Sequence, residues 1–389
     1  MDRANGSWIL QSSPDLITWT DVGNPFFIRN SFQPLAERPK AGLKLYYRLS
    51  ETSFMAYHST AFMLDLPPAP YPYATKSSAS MKMAGAGLNV TLSDKTVLLG
   101  RVLFYDRRLS KDNSISCSSC HLQENAFADK VAFSRGHLGG LTARNAAPPT
   151  DLPSYSTTDG RVFWDGRSRS LSSAVLEPIS HAVEMGLSQE ELVAKLSLEP
   201  YYTELFTSAY GTADVTAAKI GTALAQFCNA IPRFDAKYDQ ARLGTATLTA
   251  SEQEGSTLFS SKCMTCHTLT GAPRTPFANN GLDLVYADQG VAIQTGLTAD
   301  RGKFKIPNLR QVSQTGPYMH DGRFKTLRQV IDHYSEGIKN HPNLSSPLRS
   351  TGPMHFTEEQ KQALEDFLKT LTDPEIATNP AFADPFRKN

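Results

Sequence analysis

Cys117-Ser-Ser-Cys120-His121 and Cys263-Met-Thr-Cys266-His267 decide how this chain is read. Each is a C-x-x-C-H, the attachment signature of c-type haem. Two thiols three positions apart share one face of a helical turn and can bond the two vinyl positions of one porphyrin, while the adjacent histidine reaches the iron. Zinc would use the same residue types, but a structural zinc site gathers four ligands, and these pairs stand 146 residues apart with no second C-x-x-C beside either. The fifth cysteine, Cys228 in Ala223-Leu-Ala-Gln-Phe-Cys228, reads as a small buried hydrophobe. The cofactors expected are therefore two covalently bound c-type haems, with His121 and His267 on their irons.

Around these motifs lies an ordinary globular composition. The 389 residues hold 39 Lys+Arg against 38 Asp+Glu, a formal charge of +1 with no long block of one sign, which excludes a polyelectrolyte partner such as nucleic acid. No run approaches the ~18–20 apolar residues of a membrane helix, so no transmembrane segment is expected. The start, Met1-Asp-Arg-Ala-Asn-Gly-Ser-Trp-Ile-Leu10, carries no basic stretch followed by an apolar one, so no secretory signal is expected within it. Bacterial c-type haem is nonetheless attached outside the cytoplasmic membrane, and a periplasmic or otherwise exported protein is the expectation.

Residues 1–65 read as a small strand-rich segment, with β-rich runs at Ser7-Trp-Ile-Leu-Gln11, Leu16-Ile-Thr-Trp-Thr20 and Lys44-Leu-Tyr-Tyr-Arg-Leu49. The proline-rich Leu66-Pro-Pro-Ala-Pro-Tyr-Pro-Tyr73 marks a boundary. Helical periodicity then dominates, at Ser188–Leu196, Val215–Asn229, Thr249–Phe259, Thr326–Tyr334 and Thr357–Leu371, several opened by Ser or Thr. The fold class is mainly α, with two cytochrome c-like haem domains at 66–240 and 241–389 after the strand-rich start. Residues 271–305, rich in Gly, Asn, Thr and Asp, read as a long loop. On the helix from Thr326, an apolar stripe of Leu327, Val330, Ile331, Tyr334 and Ile338 leaves His333 on the polar side with Gln329 and Gly337. Tyr334 thus points inward, as a core tyrosine or as a metal ligand.

A haem with both axial positions filled moves electrons, and one with an open position can activate a small molecule. From about residue 90 to 372 the chain resembles the bacterial di-haem cytochrome c peroxidase family, including its branch around the methylamine-utilisation protein MauG. The resemblance is carried by Gly100-Arg-Val-Leu-Phe-Tyr-Asp-Arg-Arg-Leu-Ser-Lys-Asp-Asn-Ser-Ile-Ser-Cys117, Phe163-Trp164-Asp-Gly-Arg167, Glu177-Pro178 through Val183-Glu184-Met-Gly186, and Gly316-Pro-Tyr-Met-His-Asp-Gly-Arg323. It implies that the first haem, at Cys117, Cys120 and His121, binds hydrogen peroxide. Glu184, in a distal pocket with Pro178, would move a proton between the two peroxide oxygens, a contribution of about 10²–10⁴-fold. Trp164 would relay oxidising equivalents between the haems.

The same resemblance carries two conflicting branch markers. His137, sixteen residues after His121, matches a distal histidine that leaves the first iron on activation. Tyr334 stands where the peroxidases carry methionine and MauG an axial tyrosine; a phenolate stabilises higher oxidation states and lowers the iron potential. Asn145, with carbonyls near Thr298 and Asp300, would hold one calcium ion between the haems. The family's distal glutamine is replaced by Ala174, which removes a donor from the peroxide pocket. The activity implied is reduction of hydrogen peroxide to water with electrons from a small redox protein such as cytochrome c. The alternatives are a MauG-like oxidation of side chains in a protein substrate, and a non-catalytic electron-transfer cytochrome.

Overall fold

The computed structural model describes residues 64–67, 69–76, 91–149, 161–232, 234–269 and 276–386, and the backbone of four strands nearer the N-terminus. Of those strands, β1 (Ser7–Ser13) pairs antiparallel with β2 (Thr20–Asp21), β3 (Phe26–Phe27) and β4 (Tyr46–Glu51). The rest is mainly helical. The longer helices are α1 (Asp94–Tyr105), α2 (Gln189–Ser197), α3 (Pro200–Tyr210), α4 (Ala217–Ala230), α5 (Ala250–Lys262) and α7 (Glu358–Lys369), with the shorter α6 (Leu327–Asp332) before the last. Their starts are written in the sequence. Ser188, Thr249, Thr326 and Thr357 each cap a helix and receive a side chain back from Glu191, Glu252, Gln329 or Gln360, so donors that the helix cannot satisfy internally are bonded. Among the described residues, no helix is long and apolar enough to cross a membrane.

Two cores form, and one crossing builds both. The first gathers Leu99, Leu103, Phe104, Tyr202, Phe206, Leu224 and Phe227 from α1, α3 and α4. The second gathers Phe259, Leu327, Ile331, Leu364, Phe367 and Leu371 from α5, α6, α7 and the turn after it. On α1, a Cβ at Gly100 would lie 2.0 Å from the Ala223 carbonyl oxygen and 2.9 Å from Phe227 Cβ; on α5, one at Gly255 would lie 1.9 Å from the Ala363 carbonyl oxygen and 2.7 Å from Phe367 Cβ. Only glycine admits helices this close. One turn further on, the Phe104 and Phe227 rings meet at 5.0 Å and the Phe259 and Phe367 rings at 5.2 Å. Gly-x-x-Leu-Phe on one helix thus packs against Ala-x-x-x-Phe on the other, twice in one chain.

The chain's end departs from the division at residue 241. Ile376 and Phe382 belong to the first core, with Phe386 packed on it. Tyr105 donates to the Phe382 carbonyl at 2.7 Å, Tyr73 to that of Ala381 at 2.6 Å and Arg101 Nε to that of Ala383 at 2.7 Å. The tail therefore crosses back to cover α1. Between the two cores lies 276–305, which is not structureless where described: β5 (Phe277–Ala278) pairs antiparallel with β6 (Phe304–Lys305), and a helical turn spans Ala292–Thr295.

Candidate functional site

Both C-x-x-C-H stretches close the same turn. The backbone N–H groups of Cys120 and His121 donate to the Cys117 carbonyl at 3.2 and 3.0 Å, and those of Cys266 and His267 to the Cys263 carbonyl at 3.1 and 2.9 Å. Each histidine then fixes one ring nitrogen on a backbone carbonyl: His121 Nδ1 on Phe127 at 2.9 Å, His267 Nδ1 on Pro307 at 3.0 Å. With Nδ1–H donating, Nε2 carries the free lone pair that a metal requires. Burial lowers the proton affinity of both rings, which favours the neutral, ligating form. Burial also pushes the Cys120 thiol up to about 11, that of Cys263 to about 12 and that of Cys117 higher still, so these groups are protonated thiols at neutral pH. Two thiols on one turn beside an imidazole with Nε2 bare is a donor set that fits haem c. It does not fit zinc: among the described residues no three His, Cys, Asp or Glu gather as a metal site.

Above the first motif sits the Glu184 turn. The His181 carbonyl accepts from the N–H groups of Glu184 and Gly186, both at 3.0 Å, while Met185 N–H donates to the Pro178 carbonyl at 3.2 Å. Pro178 thus anchors the turn through its oxygen. Glu184 is held above the usual carboxylate range, first by burial, with Glu177 adding to it and His181 and Arg167 opposing. Its charge is felt at Cys117 and Cys120, which places the carboxyl on the first motif's side. His181 Nδ1 lies 3.4 Å from Glu184 Oε1 and is exposed to solvent. His137 belongs to the same corner. Its N–H donates to the Glu184 carbonyl at 2.8 Å, its ring is only 6% exposed, Nδ1 is 3.7 Å from Asp112 Oδ2, and Nε2 lies 2.5 Å from where a Gly186 Cβ would be. Ala174 is buried at the end of the short helix Leu171–Ala174.

Trp164 lies in the seam between the modules. Its Nε1 donates to the Asn145 carbonyl at 2.9 Å, its own carbonyl accepts from Lys305 N–H at 2.9 Å, and it packs with Met319 and Phe324 on Leu282, Tyr286 and Phe304. Charged groups to which the sequence reading gave no role lock this loop. Arg144 forks onto Asp288 at 2.6 and 2.8 Å and reaches Asp165 at 2.7 Å. Arg167 runs from Asp165 at 3.2 Å to Glu177 at 2.8 Å, with its guanidinium 3.6 Å over the Phe163 ring. The Trp164 loop and the helix leading to Glu184 are thereby tied together.

Tyr334 lies on the second motif's side of the chain. There α6 widens into a π-helix over His333–Gly337, a feature common at functional sites. His333 is not on a solvent-facing side: it is 6% exposed, and its Nε2 bonds the Asn280 carbonyl at 3.1 Å. Burial raises the Tyr334 hydroxyl to about 12. The residues expected around calcium have protein partners of their own. Asn145 Nδ2 donates to the Val131 and Ala132 carbonyls at 3.2 and 3.5 Å, the Thr298 carbonyl accepts from Asn343 at 2.7 Å, and Asp300 bonds Thr295 at 2.8 Å and Lys303 at 3.0 Å.

Known proteins resemble the chain over both modules. The family model described as Di-haem cytochrome c peroxidase matches residues 94–247, and that for Cytochrome c matches 252–372. The methylamine utilization protein MauG of Methylorubrum extorquens is 33% identical over 298 residues, covering 74% of this chain and 82% of that protein. The cytochrome c551 peroxidase of Nitrosomonas europaea is 33% identical over 280 residues, covering 70% and 79%. The crystal structure of a MauG-like protein associated with microbial copper homeostasis superposes with a TM-score of 0.68 at 32% identity, over 83% of this chain and 98% of that one. By its two haem-binding modules and these relatives, the chain belongs to the di-haem cytochrome c peroxidase and MauG family.

Proposed function

We propose that the protein consumes hydrogen peroxide at the haem held by Cys117, Cys120 and His121, and that two electrons for each peroxide come from a protein partner. The observation that carries this is Glu184, a carboxyl raised by burial on the first motif's side. When bound, the haems supply peroxide binding and storage of oxidising equivalents. Glu184, as a carboxylate, takes a proton from one peroxide oxygen and returns it to the other, so that water leaves. His181 and Arg167 favour the carboxylate, while burial and Glu177 keep its proton affinity high enough to give the proton back. Trp164, fixed by Asn145 and Lys305, places an indole at the seam between the modules.

Two partners fit this chemistry. A reduced cytochrome c would make the protein a peroxidase; a protein whose side chains are oxidised would make it MauG-like. Tyr334, on the second motif's side, favours the second, because a phenolate ligand suits storage of an oxidising equivalent better than receipt of electrons. We place the reaction in the periplasm, where c-type haem is attached. The test mixes the holoprotein with one equivalent of peroxide and follows reduced cytochrome c oxidation beside oxidation of candidate protein partners. Peroxide consumption that Glu184→Gln leaves untouched would refute the reading.

A further inference from the structure

The turn that carries Trp164 is joined to the helix that leads to Glu184 by one guanidinium. The turn is tight: Val162 N–H donates to the Ser168 carbonyl at 2.8 Å and Gly166 N–H to the Phe163 carbonyl at 3.1 Å. Phe163 takes a φ of 68°, a left-handed conformation that a residue of its bulk rarely adopts. The Arg167 guanidinium lies 3.6 Å over the Phe163 ring and its Nη1 bonds Asp165 Oδ1 at 3.2 Å, so it clasps the turn across Trp164. The second module braces the same turn. Arg144, forked onto Asp288, reaches the buried Asp165 carboxylate at 2.7 Å, Lys305 N–H donates to the Trp164 carbonyl at 2.9 Å, and a Cβ at Gly166 would lie 2.5 Å from the Phe277 ring. Arg167 then reaches away from the turn: its Nε donates to Glu177 Oε2 at 2.8 Å, at the start of the short helix Glu177–Ser180. That helix holds the Glu184 turn, because the Pro178 carbonyl accepts from Met185 N–H at 3.2 Å and the Ile179 carbonyl from Leu187 N–H at 2.8 Å.

We propose that Arg167 is a positioning residue for the peroxide chemistry: by spanning Asp165 and Glu177 it locks the Glu184 turn to the Trp164 turn, so that the carboxyl is in place while the turn between the modules is seated. This rests on the reading of Glu184 as the group that moves the peroxide proton. The planar fork is what makes the link, since Nε and Nη1 each take a separate carboxylate, and the single ammonium of a lysine cannot reproduce that arrangement. Glu177 directly precedes Pro178, whose carbonyl anchors Met185, so a shift at Glu177 is passed to the residue beside Glu184. A displacement of about 1 Å at such a group costs on the order of 10²-fold in rate.

The test combines hydrogen exchange with stopped-flow peroxide kinetics on the holoprotein and on Arg167→Met, Arg167→Lys, Glu177→Gln, Glu184→Gln and the double variant Arg167→Met plus Glu184→Gln. Arg167→Met raises exchange at residues 162–168 and 184–187 together, leaves α5 and α7 unchanged, and slows the reaction with peroxide about 10–100-fold. Arg167→Lys keeps the charge without the span and loses nearly as much. Glu177→Gln, which leaves the clasp on the Trp164 turn intact, raises exchange at 184–187 alone. In the double variant Arg167→Met adds no further loss to that of Glu184→Gln. Unchanged exchange at 184–187 in both Arg167→Met and Glu177→Gln, a wild-type rate in Arg167→Lys, or an equal further loss in the double variant would each overturn the role of Arg167 and leave the Glu184 reading standing. If Glu184→Gln reacts with peroxide as fast as the wild type, both fall together.

Discussion

The two haem modules share their proximal construction and differ on the opposite side. Gly100 and Gly255 bring helices equally close, Phe104 and Phe259 meet Phe227 and Phe367 at nearly the same separation, and His121 and His267 each spend Nδ1 on a backbone carbonyl. One construction problem, presenting two cysteines and an imidazole with a bare Nε2 on a single turn, has one solution used twice. What stands across from each motif is not repeated. The first has Glu184 on a turn anchored by Pro178; the second has Tyr334 on a π-helical turn held by His333 and Asn280. The cysteine–histidine turn is therefore repeated with the fold, and on the proposed function the division of labour rests on Glu184 and Tyr334.

The largest effect that would break this contrast is chemical. Glu184→Gln should slow the reaction with peroxide about 10²–10⁴-fold, measured by stopped flow, while the haem spectra before peroxide are retained. Next comes a buried pair that ties the two halves of the chain: Arg310 Nη1 bonds Asp239 Oδ2 at 2.6 Å with both side chains out of solvent. Asp239→Ala leaves that guanidinium uncompensated and should cost about 3–5 kcal/mol in denaturant unfolding. Gly100→Val and Gly255→Val probe the shared crossing. Each forces a side chain onto backbone and should cost at least roughly 1–3 kcal/mol, with comparable losses at the two sites; a large loss at one and none at the other would show that the crossings are not equivalent.

The smallest expected effects sharpen the functional side of the contrast. A carboxyl whose proton affinity is raised by folding contributes its full stability below its unfolded value of 4.5, and that contribution is lost as pH rises through the higher folded value. Glu184→Gln, which keeps the side chain neutral, should therefore raise the midpoint of thermal unfolding at pH 7 and leave it nearly unchanged at pH 4. A wild-type protein more stable than Glu184→Gln at pH 7 would contradict the raised proton affinity of that partly buried carboxyl. Thr249→Ala, which removes the cap of α5, should cost about 1 kcal/mol.

Much of this was legible from residues alone. The two C-x-x-C-H stretches and the capping pairs are local signals, and the structure realises the helix starts at Ser188, Thr249, Thr326 and Thr357 because a cap bonds residues only three positions apart. The repeat of Gly-x-x-Leu-Phe at Gly100 and Gly255 was also open to view, but a single glycine in a helix carries no meaning until its partner helix is known. His333 was misplaced because its side of the helix is covered by a distant stretch of chain: its Nε2 bonds the Asn280 carbonyl, a long-range contact that periodicity does not register. Asn280 and Arg144 act through long-range contacts and leave no local pattern. Ile376 and Phe382 are isolated apolar residues whose destination in the first core depends on where the chain turns.

The central claim is that Glu184 and Tyr334 give two similarly built haem sites different tasks. Low-temperature EPR of the oxidised holoprotein, before and after one equivalent of peroxide and with Tyr334→Met alongside, tests it most directly. The account predicts a high-spin signal that disappears on adding peroxide and a separate low-spin signal that Tyr334→Met alone alters. Two low-spin signals that peroxide leaves unchanged, or a low-spin signal indifferent to Tyr334→Met, would contradict it.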